Sequence, residues 1–239
     1  MTVSSNYPNY AAEDHAFLFG ALAKATYDVL GDQAEPIVKE VVVRYGHQRG
    51  RRMRKRAERD GLPICMATYL LYREYQLRPG QFCSTTAWND QGDMQDCATK
   101  CPWAETWKRY NLSTYAAVYC RNIDAALAKG FDESAVIESK ANLTEGAPCC
   151  DLWFRGAAHQ RQENLEHLEL DRRARLPWVY HLAHIYRVFS DTLTEEIGAQ
   201  RAESILECAR KSYRQFCRHD DAFAFLKLLS LDFDSIGDY

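Results

Sequence analysis

Apolar residues recur at helical spacing over most of the chain. Those between residues 12 and 30 fall on one side of a helix, and Gly31 is well placed to end it. A second helix is predicted to begin near Glu35-Pro36, because proline is tolerated in a first turn, and to run through a basic stretch towards Gly61. A third helix is predicted from Cys65 to Gln76. The first third of the chain is therefore expected to be helical.

The clearest helical pattern follows Leu112. Apolar side chains recur there with the period of an amphipathic helix, and Gly130 marks its end. The region from about His159 to Leu229 is also predicted to be helical. Its most regular apolar stripe consists of Ala202, Ile205, Leu206, Ala209, Tyr213 and Phe216.

Two regions have the texture of strands and turns. The segment from Cys83 to Cys101 is rich in Ser, Thr, Asn, Asp and Gly and favours one or two short strands. Residues 136–143 and 150–154 favour two more strands, which the turn at residues 145–148 allows to pair as a hairpin. The predicted fold is α+β and predominantly α-helical, with a helical shell around a small antiparallel sheet.

Length and composition set the size and class of the protein. The chain has 239 residues, of which 46% are hydrophobic and 26% charged, so it can bury a full core. We expect a flexible N-terminus over residues 1–11 and a single domain over residues 12–239. A net charge of −3 offers no long-range attraction to nucleic acid or anionic lipid, and no apolar run approaches the roughly 20 residues of a membrane span. The expectation is a cytoplasmic protein with no nucleic-acid or membrane partner, and the helical tail leaves room for a homodimer.

Cysteine is the residue type with the most chemical promise. The chain has nine cysteines at irregular spacings and is too large to need a disulfide framework, so reduced thiols are expected. The spacings contain no CxxC pair that would indicate a zinc ribbon or a redox centre. No cofactor is predicted, and zinc stays open.

The basic stretch of the second helix has an unusual glycine pattern. Seven of the eleven residues from Arg49 to Arg59 are basic, while Gly46, Gly50, Met53 and Ala57 fall on one narrow face. A glycine inside a helix costs about 1 kcal/mol relative to alanine, so two on one face indicate that something approaches the backbone closely. The sequence leaves open whether that is another helix or a ligand.

Three interpretations of the arginines in this stretch are open. They form a solvated face, a nucleic-acid-binding surface, or an anion site in which Arg49, Arg51 or Arg52 pairs with a substrate carboxylate. His47 stands between the glycines and is a candidate acid–base partner, although such a histidine is equally compatible with a structural role.

Three cysteines and one aspartate are candidates for chemistry. Cys120 and Asp124 share a helix face one turn apart, Cys101 stands at the entry to a short helix whose amides can lower a thiol pKa, and Cys150 opens a strand. Together they could supply a nucleophile with its base, or a metal site. The structural alternative is that Cys120 is a small core residue and Asp124 faces solvent.

Three segments resemble one family of hydrolases. Residues 44–53 (RYGHQRGRRM), 101–131 with its CPW and YCRNID motifs, and 143–151 ending in Cys150-Asp151 are similar in order and spacing to the bacterial L-2-amino-thiazoline-4-carboxylic acid hydrolase-like proteins. The resemblance covers about residues 15–155, and the helices over residues 159–229 lie outside it. The turn at residues 145–149 departs from the expected pattern, which has an acidic residue soon after the glycine.

The resemblance implies a hydrolase that opens a small nitrogen heterocycle at a C=N carbon, giving a carbamoyl-cysteine. In that reading, a thiol attacks or positions water, Asp124 orients or deprotonates the attacking group, and an arginine holds the carboxylate. The assigned residues are Cys120, Asp124, Cys101 and Cys150 for catalysis, and Arg49, Arg51, Arg52, His47 and Trp103 for substrate binding. The rival hypothesis is a non-catalytic small-molecule- or metal-binding sensor domain of the same fold.

Overall fold

The structure, a computed structural model, describes residues 7–157 and 175–235. It is mostly helical with a small sheet, so the predicted α+β class is confirmed. The described helices are α1 (Ala12–Leu30), α2 (Ala34–Arg59), α3 (Met66–Leu71), α4 (Pro102–Arg109), α5 (Ser113–Phe131), α6 (Trp178–Ile197) and α7 (Ala199–Phe216). The described strands are β1 (Cys83–Trp88), β2 (Met94–Lys100), β3 (Ile137–Ala141) and β4 (Cys150–Phe154).

Helix α3 is shorter than predicted. The sequence favoured a helix as far as Gln76, but α3 ends at Leu71 and the chain continues in an extended conformation. The reason is tertiary: the carbonyl of Glu74 accepts a hydrogen bond from the amide of Leu176 at 3.0 Å, and that of Gln76 accepts one from the indole of Trp178. These contacts replace the bonds that another helical turn would have made.

The sheet has the order β1-β2-β4-β3 and is antiparallel throughout. The predicted pairing of β3 with β4 is confirmed, with Ile137 opposite Phe154. Side chains alternate along β2, so that Met94, Asp96 and Ala98 are buried. The other side of β2 is more exposed, and β3 packs against α5. One side of the sheet thus forms a wall of the protein interior.

The glycines of α2 allow very close packing against α5. A Cβ atom at Gly50 would lie 2.2 Å from the carbonyl oxygen of Leu127, and one at Gly46 would lie 2.6 Å from the Cβ of Ala126. From the other helix, a Cβ at Gly130 would lie 2.4 Å from the carbonyl oxygen of His47. The approaching partner is therefore a helix, which settles the choice left open by the sequence.

The variant Gly50→Ala should be destabilised. The new methyl group would meet backbone atoms of α5 on several sides, which cannot move aside as a side chain could. Overpacking of this kind costs about 1–3 kcal/mol, more than the roughly 1 kcal/mol that alanine gains in helix propensity. We expect a lower midpoint in urea unfolding than for wild type, whereas Lys39→Ala, an exposed substitution on the same helix, should leave it unchanged. An unchanged midpoint for Gly50→Ala would contradict the close packing.

The C-terminal helices join the same core. Helix α6 packs against α1 and α2, and α7 packs against α1, while the predicted stripe of α7 is buried except for the half-buried Phe216. Tyr10, expected in a flexible terminus, is buried, and its hydroxyl donates to the carbonyl of Asp221 at 2.9 Å. The predicted helical region between residues 158 and 174 and the first six residues lie outside the described part of the chain. Among the helices of the described part, none is both long and apolar enough to cross a membrane.

Candidate functional site

A cavity of about 910 Å³ lies between α5, the buried side of the sheet and the segment that follows α3. Its lining brings together most of the candidate residues, although they come from four separate elements. The candidates that line it are Arg49, Cys101, Trp103, Cys120, Asp124 and Cys150. Pockets of this size accommodate small organic ligands, and convergent polar groups in a largely apolar wall are typical of such sites.

The three cavity thiols have different neighbours. The Sγ of Cys120 lies 3.2 Å from the hydroxyl of Thr144, and the Sγ of Cys150 accepts a hydrogen bond from the amide of Leu143 at 3.4 Å. Cys101 precedes α4. Burial raises the pKa of each of the three thiols, that of Cys101 to about 11 despite hydrogen bonds from the amides at the start of α4. At neutral pH they are therefore thiols, and a thiolate requires a base.

Asp124 is the carboxylate placed to act as that base. It sits one helical turn after Cys120 and shares the cavity wall with Asp96 of β2. Burial raises the pKa of Asp124, the positive charges of Arg73 and Arg49 lower it, and the negative charge of Asp96 raises it. A carboxylate whose pKa is raised by burial is a stronger base than one in water.

Arg49 is the buried cation of the cavity. It is 2% exposed, its Nε donates to Glu74 at 3.1 Å, and its guanidinium lies 3.8 Å from the ring centre of Tyr75. Within the part of the chain that the structure describes, its Nη1 has no hydrogen-bond partner. An unpaired buried guanidinium nitrogen is costly, and such groups are usually completed by a ligand or a water.

Arg49 belongs to a buried charge cluster centred on Glu74. Arg52 donates to both carboxylate oxygens of Glu74 at 2.7 Å, and Arg56 donates to one of them at 2.9 Å. Burial alone would raise the pKa of Glu74, but Arg52, Arg49 and Arg56 together hold it well below its ordinary value. One buried carboxylate therefore binds three guanidinium groups.

Three predicted substrate-binding residues do not line the cavity. Arg52 is fully buried, with its donors directed to Glu74 and to the carbonyl of Phe233. Arg51 points to the opposite side of α2, where it pairs with Asp234 at 2.9 Å. His47 lines a separate depression beside Arg51 and Gly130. Helical geometry explains the positions of residues 47 and 51, which each lie two residues from Arg49 and so share the opposite side of α2, whereas Arg52 shares the side of Arg49 but donates to Glu74.

The basic stretch has partners within the chain. Besides the buried arginines and Arg51, Arg54 pairs with Glu58 at 2.7 Å, Lys55 donates to the carbonyl of Asp234, and Arg59 pairs with its neighbour Asp60. Acidic side chains of the same protein therefore pair with most of its arginines. This pairing supports a structural role for the stretch.

Several residues of the cavity were not singled out from the sequence. Arg73 and Asp96 flank Asp124 electrostatically, and Tyr75 and Tyr119 form part of the wall. The signal for Tyr119 was its position next to Cys120 on the same helix. Asp96 lies in the segment predicted to form short strands, and Arg73 lies in the predicted third helix, beyond the residue at which α3 ends. Only the tertiary fold brings them to the site.

One expectation about the cysteines is wrong. Cys97 of β2 and Cys149 are joined as a disulfide, so the cysteines are not all reduced thiols. In the sheet, Cys97 lies directly opposite Asp151, two residues after its disulfide partner Cys149. The bond therefore ties the start of β4 to β2, next to a cavity thiol. The seven other cysteines, all within the described residues, form no disulfide there.

The described ranges contain no group of three or more His, Cys, Asp or Glu side chains arranged to hold a metal ion. The cavity thiols and Asp124 line the same wall, but they are not among any such group of metal ligands in the described residues.

The fold and the cavity define a mostly helical α+β protein with an internal site built from thiols, a carboxylate and a buried arginine. The model of the L-2-amino-thiazoline-4-carboxylic acid hydrolase family matches residues 10–154, more than half of the chain. The chain therefore belongs to this family, which is named for a hydrolase. Searches of curated proteins and of solved structures gave no significant match.

Proposed function

We propose that the protein is a hydrolase that opens a small cyclic amidine carrying a carboxylate, such as 2-amino-thiazoline-4-carboxylate, inside the cavity of about 910 Å³. The observation that carries the proposal is the partnerless Nη1 of the buried Arg49 in the same cavity as Asp124 and three thiols. Family membership supports the reaction class. The cyclic amidine follows from the name of the family, and the roles of individual residues rest on the geometry.

Arg49 would bind the substrate carboxylate. Among the described residues its buried Nη1 has no hydrogen-bond partner, so a substrate carboxylate would supply the acceptor that this charged donor lacks. A guanidinium held by a carboxylate on one edge and by the ring of Tyr75 on its face is already oriented for a hydrogen bond. Little conformational entropy would be lost on binding.

Cys120 and Asp124 would perform the addition. The Asp124 carboxylate takes the proton of the Cys120 thiol, the sulfur attacks the C=N carbon, and the electron pair of that double bond moves to the nitrogen, which a proton from Asp124 then neutralises. In 2-amino-thiazoline-4-carboxylate the ring C–S bond to the same carbon then breaks, as the lone pair of the exocyclic nitrogen forms a new C=N bond and a proton of that nitrogen passes to the departing sulfur. Water, deprotonated by Asp124, adds to the carbon and releases the cysteine thiol, so the overall change is the gain of one water.

Cys101 and Cys150 would serve as alternative nucleophiles or as polar contacts. Both line the cavity, but each already accepts hydrogen bonds from backbone amides, which hold the sulfur atoms in place. Cys120 instead contacts a hydroxyl and lies on the same helix as Asp124, one turn away. For this reason Cys120 is the first choice for the attacking group, and Trp103 would supply an apolar contact beside the ring.

The test is incubation of purified protein with a panel of five-membered nitrogen heterocycles, with and without added zinc, followed by mass spectrometry. We expect the gain of one water on a carboxylated cyclic amidine. Cys120→Ala and Asp124→Asn should each lower the rate at least 100-fold, as removal of nucleophiles and general bases commonly does. Cys208→Ala, which removes an exposed thiol, should retain the wild-type rate.

Two outcomes would contradict this assignment. Folded Cys120→Ala and Cys101→Ala variants that open the ring at wild-type rates would exclude a thiol nucleophile at these positions. If no member of the panel gains water, while a carboxylated heterocycle still raises the melting temperature, the rival hypothesis of a binding or sensor domain would replace the hydrolase.

A further inference from the structure

A continuous chain of hydrogen bonds, called the file below, links the indole of Trp103 to the hydroxyl of Tyr119. The indole Nε1 of Trp103 donates to His15 Nδ1 at 3.0 Å, and His15 Nε2 lies 3.0 Å from the hydroxyl of Tyr45. The hydroxyls of Tyr45 and Tyr75 are 3.1 Å apart, and those of Tyr75 and Tyr119 are 3.0 Å apart. Tyr75 and Tyr119 line the cavity, so the file ends at the site.

The Trp103 indole determines the direction of every bond in the file. An indole N–H can only donate, so His15 Nδ1 must accept and the proton of the neutral ring must be on Nε2. His15 therefore donates to Tyr45, which leaves the Tyr45 proton for Tyr75 and the Tyr75 proton for Tyr119. Because Tyr119 accepts from Tyr75, its own proton has no acceptor within the file and is available to a ligand.

Burial keeps the file in this state. His15 and Tyr45 have no exposed surface, and burial together with the nearby charge of Arg49 lowers the pKa of His15 to about 3. His15 is therefore neutral across the physiological pH range. The guanidinium of Arg49 lies over the rings of Tyr45 and Tyr75, at 5.3 and 3.8 Å from their centres, and holds both rings in place.

We propose that Tyr119 is a catalytic residue whose hydroxyl donates a hydrogen bond to the substrate atom that gains negative charge, and that His15 and Trp103 are positioning residues that orient this donor. The inference rests on the proposed function. During addition to the C=N carbon, the electron pair of the double bond moves to the nitrogen, and the Tyr119 hydroxyl stabilises it. The proton stays on Tyr119, so no proton has to be supplied along the file, and Asp124 carries out the proton transfers.

The position of Tyr119 fits this role. It directly precedes Cys120 on α5, so the donor and the proposed nucleophile come from neighbouring residues of one rigid helix. A donor oriented before the substrate binds needs no reorganisation in the transition state, and removal of one such donor typically costs a factor of about 10² to 10³ in kcat.

The first test measures the file itself and needs no turnover. In a spectrum of the seven histidines labelled with ¹⁵N, the signals lost in His15→Gln assign His15. At neutral pH we expect a protonated Nε2 and an unprotonated Nδ1, and in Trp103→Phe a mixture of both tautomers. A protonated Nδ1 in the wild type would reverse the file and overturn the inference.

The second test is kinetic. Tyr119→Phe should lower kcat about 100-fold with less than a threefold change in KM, whereas Tyr115→Phe, which removes a hydroxyl from the same helix outside the cavity, should have no effect. Trp103→Phe should lower kcat in the wild-type background and have little further effect in Tyr119→Phe, because both act through one donor. Wild-type kcat in Tyr119→Phe, or additive effects of the two substitutions, would overturn the inference.

Failure of the proposed function gives a different pattern. If the wild-type protein opens no heterocycle, the donor is tested by calorimetry with 2-oxothiazolidine-4-carboxylate, whose ring carbonyl oxygen, unlike the unreacted amidine, already offers the Tyr119 hydroxyl an acceptor in the bound ground state. Tyr119→Phe should then weaken the affinity at least tenfold, and an unchanged dissociation constant would overturn the donor role. Absence of turnover in the wild type therefore refutes the proposed hydrolase. The tautomer of His15 and the ligand affinity of Tyr119→Phe separately test the inference about Tyr119.

Discussion

Glu74→Gln is expected to be one of the most destabilising single substitutions in this chain. The carboxylate is fully buried and accepts hydrogen bonds from Arg49, Arg52 and Arg56. Glutamine has the same shape, but it would remove the negative charge to which three buried guanidinium groups donate and direct an NH₂ group at one of them. Removal of one partner from a buried ion pair costs about 3–5 kcal/mol. Urea unfolding of wild type and variant measures this difference directly.

The pH dependence of that difference identifies its cause. The pKa of Glu74 is lower in the folded protein than in the unfolded chain, so its contribution is complete above the ordinary value of 4.5 and is lost as the pH falls towards the folded-state pKa. We expect a constant gap between wild type and Glu74→Gln from pH 8 down to about pH 5, and a narrowing gap below it. Glu207→Gln, which removes an exposed carboxylate paired with Lys211, should behave as wild type. A gap that does not depend on pH would indicate a packing defect.

The spacing of the arginines contained a signal for this cluster that the sequence interpretation did not use. Arg49, Arg52 and Arg56 stand at positions i, i+3 and i+7 and therefore share one face of α2. Considered as part of a basic stretch, they suggested a solvated face or an anion site. Considered as a stripe at helical spacing, they indicate a common buried partner. Its identity, Glu74, comes from a segment whose own pattern predicted helix, and the tertiary contacts that straighten this segment are not visible in local sequence.

Local pattern was sufficient for the long elements. The limits of α1 and α5 follow from their apolar period and from glycines near their ends, and the β3–β4 hairpin follows from two apolar runs around a turn. The close packing of α2 on α5 was half predicted, because the glycines at positions 46 and 50 require a close neighbour but do not identify it.

The types of residue in the candidate site were predictable from the sequence. Which individual residues line the cavity was less predictable. The helical spacing of Cys120 and Asp124 placed them together, and Cys101 and Cys150 were added because one stands at the entry to a short helix and the other opens a strand. All four line one cavity. The choice among neighbouring arginines was not predictable, because a rotation of about 100° per residue around the helix axis decides which one faces the cavity, and that orientation depends on packing.

Arg49→Met is expected to impair substrate recognition most strongly. The unbranched methionine fills a similar space but removes the Nη1 that has no partner in the free protein. Loss of one partner of a buried, hydrogen-bonded charge pair costs about 2–5 kcal/mol, which corresponds to a fall in kcat/KM of roughly 30- to 5000-fold. Most of the loss should be in KM, because the carboxylate is held equally in the ground state and the transition state. Steady-state kinetics on 2-amino-thiazoline-4-carboxylate measure the effect.

A substrate without the carboxylate separates recognition from folding. On 2-amino-thiazoline the wild type should be slower by about the same factor, and Arg49→Met should cause little further loss, because the group that Arg49 binds is absent from the substrate. Arg49→Lys should recover part of the affinity for the carboxylated substrate, since it restores the charge but not the planar fork that also pairs with Glu74. If Arg49→Met slows both substrates equally, Arg49 supports the architecture of the cavity and the carboxylate must be bound by another cation on its wall, of which Arg73, next to Asp124, is the first to test.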